Sequence, residues 1–248
     1  MLTKVYNISD DKEVTLTTYI PDISEEMQNM KVKPAVLILP GGAYKFCSDR
    51  EAEPIALAYL AKGFNAFILR YSLNEKASFP TPLDDAKKAL SFIRSNADIF
   101  FTDPQKIAVI GFSAGGYLAA ALSSMSEEKP NACILGYPCI LDSTSPILAK
   151  PVESVDKYVT RQTPPSFIFA ASNDGCVPII NSLKYAEALD KNNVSFEMHI
   201  FSEGDHGFSL GTDVVCSSEE GQKICRANSY WLDRSAEWLK KLFFNREY

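Results

Sequence analysis

Six short runs of apolar, largely β-branched or aromatic residues recur along this chain with helix-forming segments between them, and this alternation constrains the fold more than any other feature. The runs are Ala35 to Leu39, Asn65 to Leu69, Ile107 to Ile110, Ala132 to Tyr137, Ser166 to Ala171 and Ser195 to Phe201. Most lack the polar alternation of a strand with one wet face. Such strands need cover on both sides, and the intervening helices can supply it. The pattern therefore predicts an α/β fold with a mostly parallel central sheet flanked by helices on both faces. The helical segments are Arg50 to Lys62, Pro82 to Asn96, Ala114 to Met125, Ile179 to Asn192 and Ser229 to Phe244. Thr81 reads as an N-cap with Pro82 at the first helical position, and Gly63 as the stop after Lys62. Val14 to Ile20 alternates and runs into Pro21, as an antiparallel edge strand would.

At 248 residues and 46% hydrophobic, the chain can build one sizeable core, so a single domain over residues 1–248 is expected. Two stretches break the alternation. Residues 138–165 hold five prolines between two core strands, which suggests a short cap or lid rather than a linker. Gly211 to Arg226 is the second irregular stretch. A formal net charge of -6 argues against nucleic acid or an anionic membrane as partner, since both need a basic face. The first residues lack the basic segment and apolar run of a secretory signal, and no later stretch is long and apolar enough to cross a bilayer. A cytoplasmic protein is the expectation. Six cysteines at irregular spacings point to free thiols, with Cys216 and Cys225 as the one pair to test for a disulfide. Neither a phosphate-binding glycine loop nor a metal-ligating cluster is present in the sequence, so no cofactor and no metal are expected.

The chemistry begins at Gly111-Phe112-Ser113-Ala114-Gly115, which joins the strand-like run at Ile107 to the helical run at Tyr117. A sharp strand-to-helix turn lifts a serine hydroxyl off the end of a sheet, provided that glycines two before and two after let the backbones approach. Ser113 is therefore the candidate nucleophile. A serine hydroxyl needs an imidazole to take its proton and a carboxylate to orient that imidazole. The chain has two histidines. His199 lies inside a strand and is assigned to structure, whereas His206 lies in the loop Gly204-Asp205-His206-Gly207-Phe208 just past it and is the candidate base. Asp174, in a loop after the strand Ser166 to Ala171, is the candidate acid, with Asp142 and Asp205 as rivals. The order Ser, Asp, His, each just beyond a strand, favours Asp174 over a plain turn aspartate. Backbone N–H groups of Ala114 and of the loop Pro40-Gly41-Gly42-Ala43-Tyr44 are placed to stabilise an oxyanion.

With these loops in place the chain resembles the α/β-hydrolase family over nearly its full length. More narrowly, Pro40 to Tyr44, Pro80 to Arg94 with Asp84-Asp85, Gly111 to Ala120, Asn173 to Pro178 with Asn181-Ser182-Leu183, and His206-Gly207-Phe208 look like the acetyl esterases that accompany xylanases. The resemblance implies nucleophile Ser113, acid Asp174 and base His206, with oxyanion donors at Gly42, Ala43 and Ala114. It also implies removal of acetyl groups from acetylated sugars or xylan fragments, a small-molecule ester substrate. Ala43 stands where relatives usually carry a third glycine, and Tyr117 where they often carry histidine. Asp84 and Asp85 read as structural, favoured by the helix dipole. Tyr44, Tyr137, Pro138 and Trp231 are candidates for contact with a sugar ring, though aromatic residues are more often core. Two other readings stand beside the esterase: an exopeptidase of the prolyl-oligopeptidase type, and a non-catalytic ligand-binding protein on a hydrolase scaffold.

Overall fold

The structure, a computed structural model, describes residues 1–216 and 218–244. Six parallel strands form the body of one sheet: β3 (Lys33–Leu39), β4 (Asn65–Arg70), β5 (Thr102–Phe112), β6 (Ala132–Gly136), β7 (Ser166–Ala171) and β8 (Phe196–Phe201). β2 (Thr15–Ile20) joins antiparallel to β4, and β1 (Leu2–Asn7) antiparallel to β2. The strand order is β1-β2-β4-β3-β5-β6-β7-β8. The strand expected at the edge is thus an inner one. β1 takes the edge, and its nearly all-exposed residues explain why its sequence carries no apolar signal.

Residues alternate between the faces of the buried strands, and this divides the core in two. Leu37, Leu39, Val109 and Leu135 face one cluster, covered by α2 (Thr81–Ser95), α3 (Ser113–Met125) and α4 (Ile180–Lys191). Val36, Ile38, Ile110 and Ile134 face the other, covered by α1 (Glu53–Ala61) and α6 (Trp231–Phe244). Helices on both faces of a mainly parallel sheet are what the runs predicted.

Several element ends differ from expectation. Arg50 and Glu51 belong to a separate turn, Asp49–Glu51, because Ala52 leaves helical geometry before α1 begins. Thr81 is the first residue of α2 rather than its cap; Pro80 precedes it and no side chain caps the helix. Lys62 does end α1, and Gly63 follows at φ 91°. Asp84 pairs with Lys87 at 3.0 Å, whereas Asp85 is buried and accepts the Ser72 N–H at 2.9 Å, so it ties α2 to the chain after β4. A further helix, α5 (Glu219–Asn228), lies in the stretch expected to be irregular, and α6 starts only at Trp231. The sequence of α5 is mostly polar, with an internal glycine and only Ile224, Cys225 and Ala227 apolar, too few to mark a buried helix.

Residues 138–165 carry two short 3-10 helical pieces, Asp142–Ile147 and Val155–Tyr158, and bury Leu148, Val152, Val155 and Val159 against the first core cluster. The Ala149 N–H donates to the Ala43 carbonyl at 2.9 Å, so this segment rests on the loop after β3. The expected Cys216–Cys225 pairing involves Cys225, whose side chain lies outside the described residues. Among the described residues no helix is long and apolar enough to cross a membrane.

Parallel strands end together. Register pairs Leu39 with Gly111, Phe112 with Gly136, and Ala171 with Phe201, so the loops after β3, β5, β6, β7 and β8 gather on one edge of the sheet.

Candidate active site

Ser113 opens α3 directly from the end of β5 at φ 52°, a left-handed angle that non-glycine residues rarely adopt. The turn is possible because its neighbours have no side chain. A Cβ on Gly115 would stand 2.1 Å from the Leu39 carbonyl, and one on Gly111 would stand 2.1 Å from the Gly115 carbonyl. Helix and strands therefore approach to a distance that only glycine permits.

The hydroxyl of Ser113 lies 2.8 Å from Nε2 of His206, and Nδ1 of the same ring lies 2.7 Å from Oδ2 of Asp174. The three residues that the loop order selected thus form one hydrogen-bonded row. Asp174 turns its other oxygen to the N–H groups of Cys176 and Val177, at 2.8 and 2.9 Å, which sets the carboxylate's orientation. Burial works to raise its pKa, but the His206 contact and the two backbone donors outweigh it, and the carboxyl is held below the usual range. Of the rivals, Asp142 faces Lys157 and Asp205 is exposed beside the histidine. His199, within β8, stacks on Phe167 and bonds Glu197, as a structural residue would.

Ala114 is the second residue of α3, and its N–H has no acceptor within the helix. Across from it the loop after β3 passes through Gly42 at φ 125° and Ala43 at φ 56°. A Cβ on Gly42 would stand 2.1 Å from the Phe46 carbonyl, so glycine is required there, whereas Ala43 holds its left-handed angle with a side chain in place. Two further contacts hold the loop: the Tyr71 hydroxyl donates to the Pro40 carbonyl, and the Gly41 N–H donates to Oε2 of Glu51 at 2.8 Å.

Glu51 was not visible as a site residue in the sequence, where Arg50-Glu51 reads as the charged first turn of a surface helix. It is 3% exposed, and its second oxygen accepts the Tyr137 hydroxyl at 2.6 Å. The signal that could have revealed it is a carboxylate within ten residues of the glycine loop, where a short turn can fold back onto that loop.

The four residues proposed for sugar contact are all buried. Trp231 is 0% exposed, stacks on Phe169 at 4.1 Å and donates its indole N–H to the Ser209 carbonyl. Tyr137 packs its ring against His206 at 5.2 Å, Pro138 lies over Gly116, and Tyr44, at φ 59°, turns back onto Tyr71. None offers an open face to a ring. They support the site's loops instead. Cys139 is buried with its N–H on the Ser113 carbonyl, and burial pushes its thiol up to about 12. Among the described residues no group of three or more His, Cys, Asp or Glu could hold a metal ion.

Comparison with known proteins agrees with this geometry. An α/β hydrolase enzyme from a Medee basin deep-sea metagenome library superposes with a TM-score of 0.90 at 46% identity, over 98% of each chain. The chain belongs to the α/β-hydrolase family. Within it, this hydrolase matches the family described as BD-FAE over residues 21–142 and the prolyl oligopeptidase family over residues 142–243. It is 32% identical to endo-1,4-beta-xylanase B of Butyrivibrio fibrisolvens, over 82% of this chain and 37% of that protein. It is 28% identical to the acetylxylan esterase of Xylanibacter ruminicola, over 83% of this chain and 46% of that protein. The hydrolase therefore spans less than half the length of these two curated relatives.

Proposed function

We propose that this hydrolase is a serine carboxylesterase that removes short acyl groups, acetyl above all, from acetylated sugars or xylan fragments. The observation that carries the reading is the row from Ser113 through His206 to Asp174, at 2.8 and 2.7 Å, seated on the shared strand edge. Ser113 attacks the ester carbonyl while His206 takes its proton, and the Ala114 and Ala43 N–H groups meet the oxyanion. His206 then gives the proton to the leaving alcohol, and an acyl group remains on Ser113. Water enters by the same path, loses its proton to His206 and releases the acid. Asp174 keeps the imidazole in the tautomer that presents Nε2 to the hydroxyl.

The acetylxylan esterase among the relatives supports acetylated saccharide as substrate, and the segment 138–165, resting on Ala43, is the part of the chain suited to limit acyl length. Ser113→Ala tests the nucleophile: the folded variant is expected to lose nearly all hydrolysis of p-nitrophenyl acetate, and parental turnover would refute the assignment. A chain-length series of p-nitrophenyl esters, run beside acetylated xylo-oligosaccharides, tests the substrate. Activity is expected to be greatest for acetate and to fall along the series.

A prolyl-oligopeptidase-type exopeptidase is the second reading, favoured by the family match over residues 142–243, which contain Asp174 and His206. An acetate ester and a proline amide assayed together separate the two. Labelling of Ser113 by a fluorophosphonate probe would exclude a non-catalytic binding protein.

A further inference from the structure

The buried Glu51 has no part in the three-residue row. Glu51 lies between two loops that must both be placed for Ser113 to react. On one side Oε2 accepts the Gly41 N–H at 2.8 Å, next to the proposed oxyanion donors. On the other, Oε1 accepts the Tyr137 hydroxyl at 2.6 Å, and that hydroxyl accepts the N–H of Ser209 at 3.1 Å. Ser209 closes the loop that carries His206, and its own hydroxyl returns to the Arg50 carbonyl, beside Glu51, at 2.5 Å. A Cβ on Gly207 would stand 3.8 Å from Oε1, so the histidine loop passes directly over the carboxylate. One side chain is thereby bonded to the oxyanion loop and, through one phenol, to the histidine loop.

We propose that Glu51 is a positioning residue for the Ser113 reaction: it aims the oxyanion loop through Gly41 and holds the His206 loop through Tyr137. The proposal rests on the reading of Ser113 and His206 given above. A group kept only for stability would be expected to improve the fold when ionised, and Glu51 does the reverse. Burial raises its pKa above the ordinary carboxylate range despite the Tyr137 and Gly41 bonds and the charges of His206 and Arg50. The charged and titratable groups around it are Arg50, His206, Tyr137 and Tyr71; those around His206 are Asp174 and Glu51, with exposed Asp205 next to it in the chain. A carboxyl group kept where burial opposes its ionisation, with both oxygens bonded to loops of the site, points to work at the site rather than to packing.

The test compares the parent, Glu51→Gln, Tyr137→Phe and Ser113→Ala in p-nitrophenyl acetate hydrolysis from about pH 5 to 9, with a melting curve for each. Glu51→Gln keeps shape and one acceptor oxygen but replaces the other with an amide NH2. It is expected to melt at or above the parental temperature near neutral pH. Its kcat is expected to fall at least about tenfold with KM within about twofold. Tyr137→Phe, which keeps the ring and cuts the bridge, is expected to lower kcat without moving KM. A folded Glu51→Gln with parental kcat overturns the proposal. So does a Glu51→Gln that fails to fold together with a folded Tyr137→Phe of parental kcat. If Ser113→Ala keeps parental activity, it is the nucleophile assignment that fails, whatever the other variants do.

Discussion

Ser113 occupies a backbone angle that costs about 1–3 kcal/mol, and the surroundings that hold it there can be tested one atom at a time. Gly115→Ala would drive a methyl to 2.1 Å from the Leu39 carbonyl, and backbone cannot give way as a flexible side chain can. A loss of about 3 kcal/mol in urea unfolding is expected. Gly175, in the acid loop, has nothing within 4 Å of its Cβ position, and Gly175→Ala is expected to stay within about 0.5 kcal/mol of the parent. Equal effects at the two glycines would refute the steric account of the elbow. Asp174 makes a prediction in pH. Its folded pKa is depressed, so its ionisation contributes stability above its unfolded value of about 4, and that contribution is lost as pH falls through the lower folded value. Melting curves of the parent and of Asp174→Asn are therefore expected to differ most near neutral pH and to converge in acid. A gap that widened below about pH 4 would contradict the sign.

At the scale of elements, the segment 138–165 depends on one side chain of α4. Oδ1 of Asn181 accepts the N–H groups of Ile140 and Leu141 at 3.0 and 2.9 Å, where the segment leaves the sheet, and Asn181 is 1% exposed. Asn181→Ala leaves two donors without an acceptor, at least one of them in a buried contact, and a loss of about 2–4 kcal/mol in urea unfolding is expected. Under the proposed role of this segment, the variant should also hydrolyse p-nitrophenyl butyrate faster relative to acetate than the parent does. An unchanged butyrate-to-acetate ratio would separate the segment from acyl choice. The elements themselves were unevenly legible. Strands buried on both faces announced themselves through continuous apolar runs, and α1 stopped at Gly63 as read. α5 did not, because only three of its ten residues are apolar, and Thr81 misled because Pro80 took the cap position ahead of it.

Across the whole molecule, the parallel sheet and the loops that meet at its edge were legible because burial on two faces leaves a pattern that few other folds share. The row of Ser113, His206 and Asp174 was legible for a different reason: three loops in hydrolase order, and only two histidines to choose between. Glu51 and Tyr137 were not, since burial that comes from loops folding over one another leaves no period in the sequence. β1 escaped for the opposite reason, having almost nothing buried to register. That same exposure carries a final prediction. β1 touches the sheet only through β2, and β2 and β4 stand between it and β3, whose loop holds the proposed oxyanion donors. Removing residues 1–7 is therefore expected to leave kcat for p-nitrophenyl acetate within about twofold of the parent. It would also bare the backbone donors and acceptors of β2, an inner strand with alternate buried residues and no built-in edge protection. Concentration-dependent association in size-exclusion chromatography is the expected result, with stability reduced but the active edge intact. A tenfold fall in kcat with the trimmed chain still folded and monomeric would mean that β1 acts on the site at a distance, against the strand order that separates them.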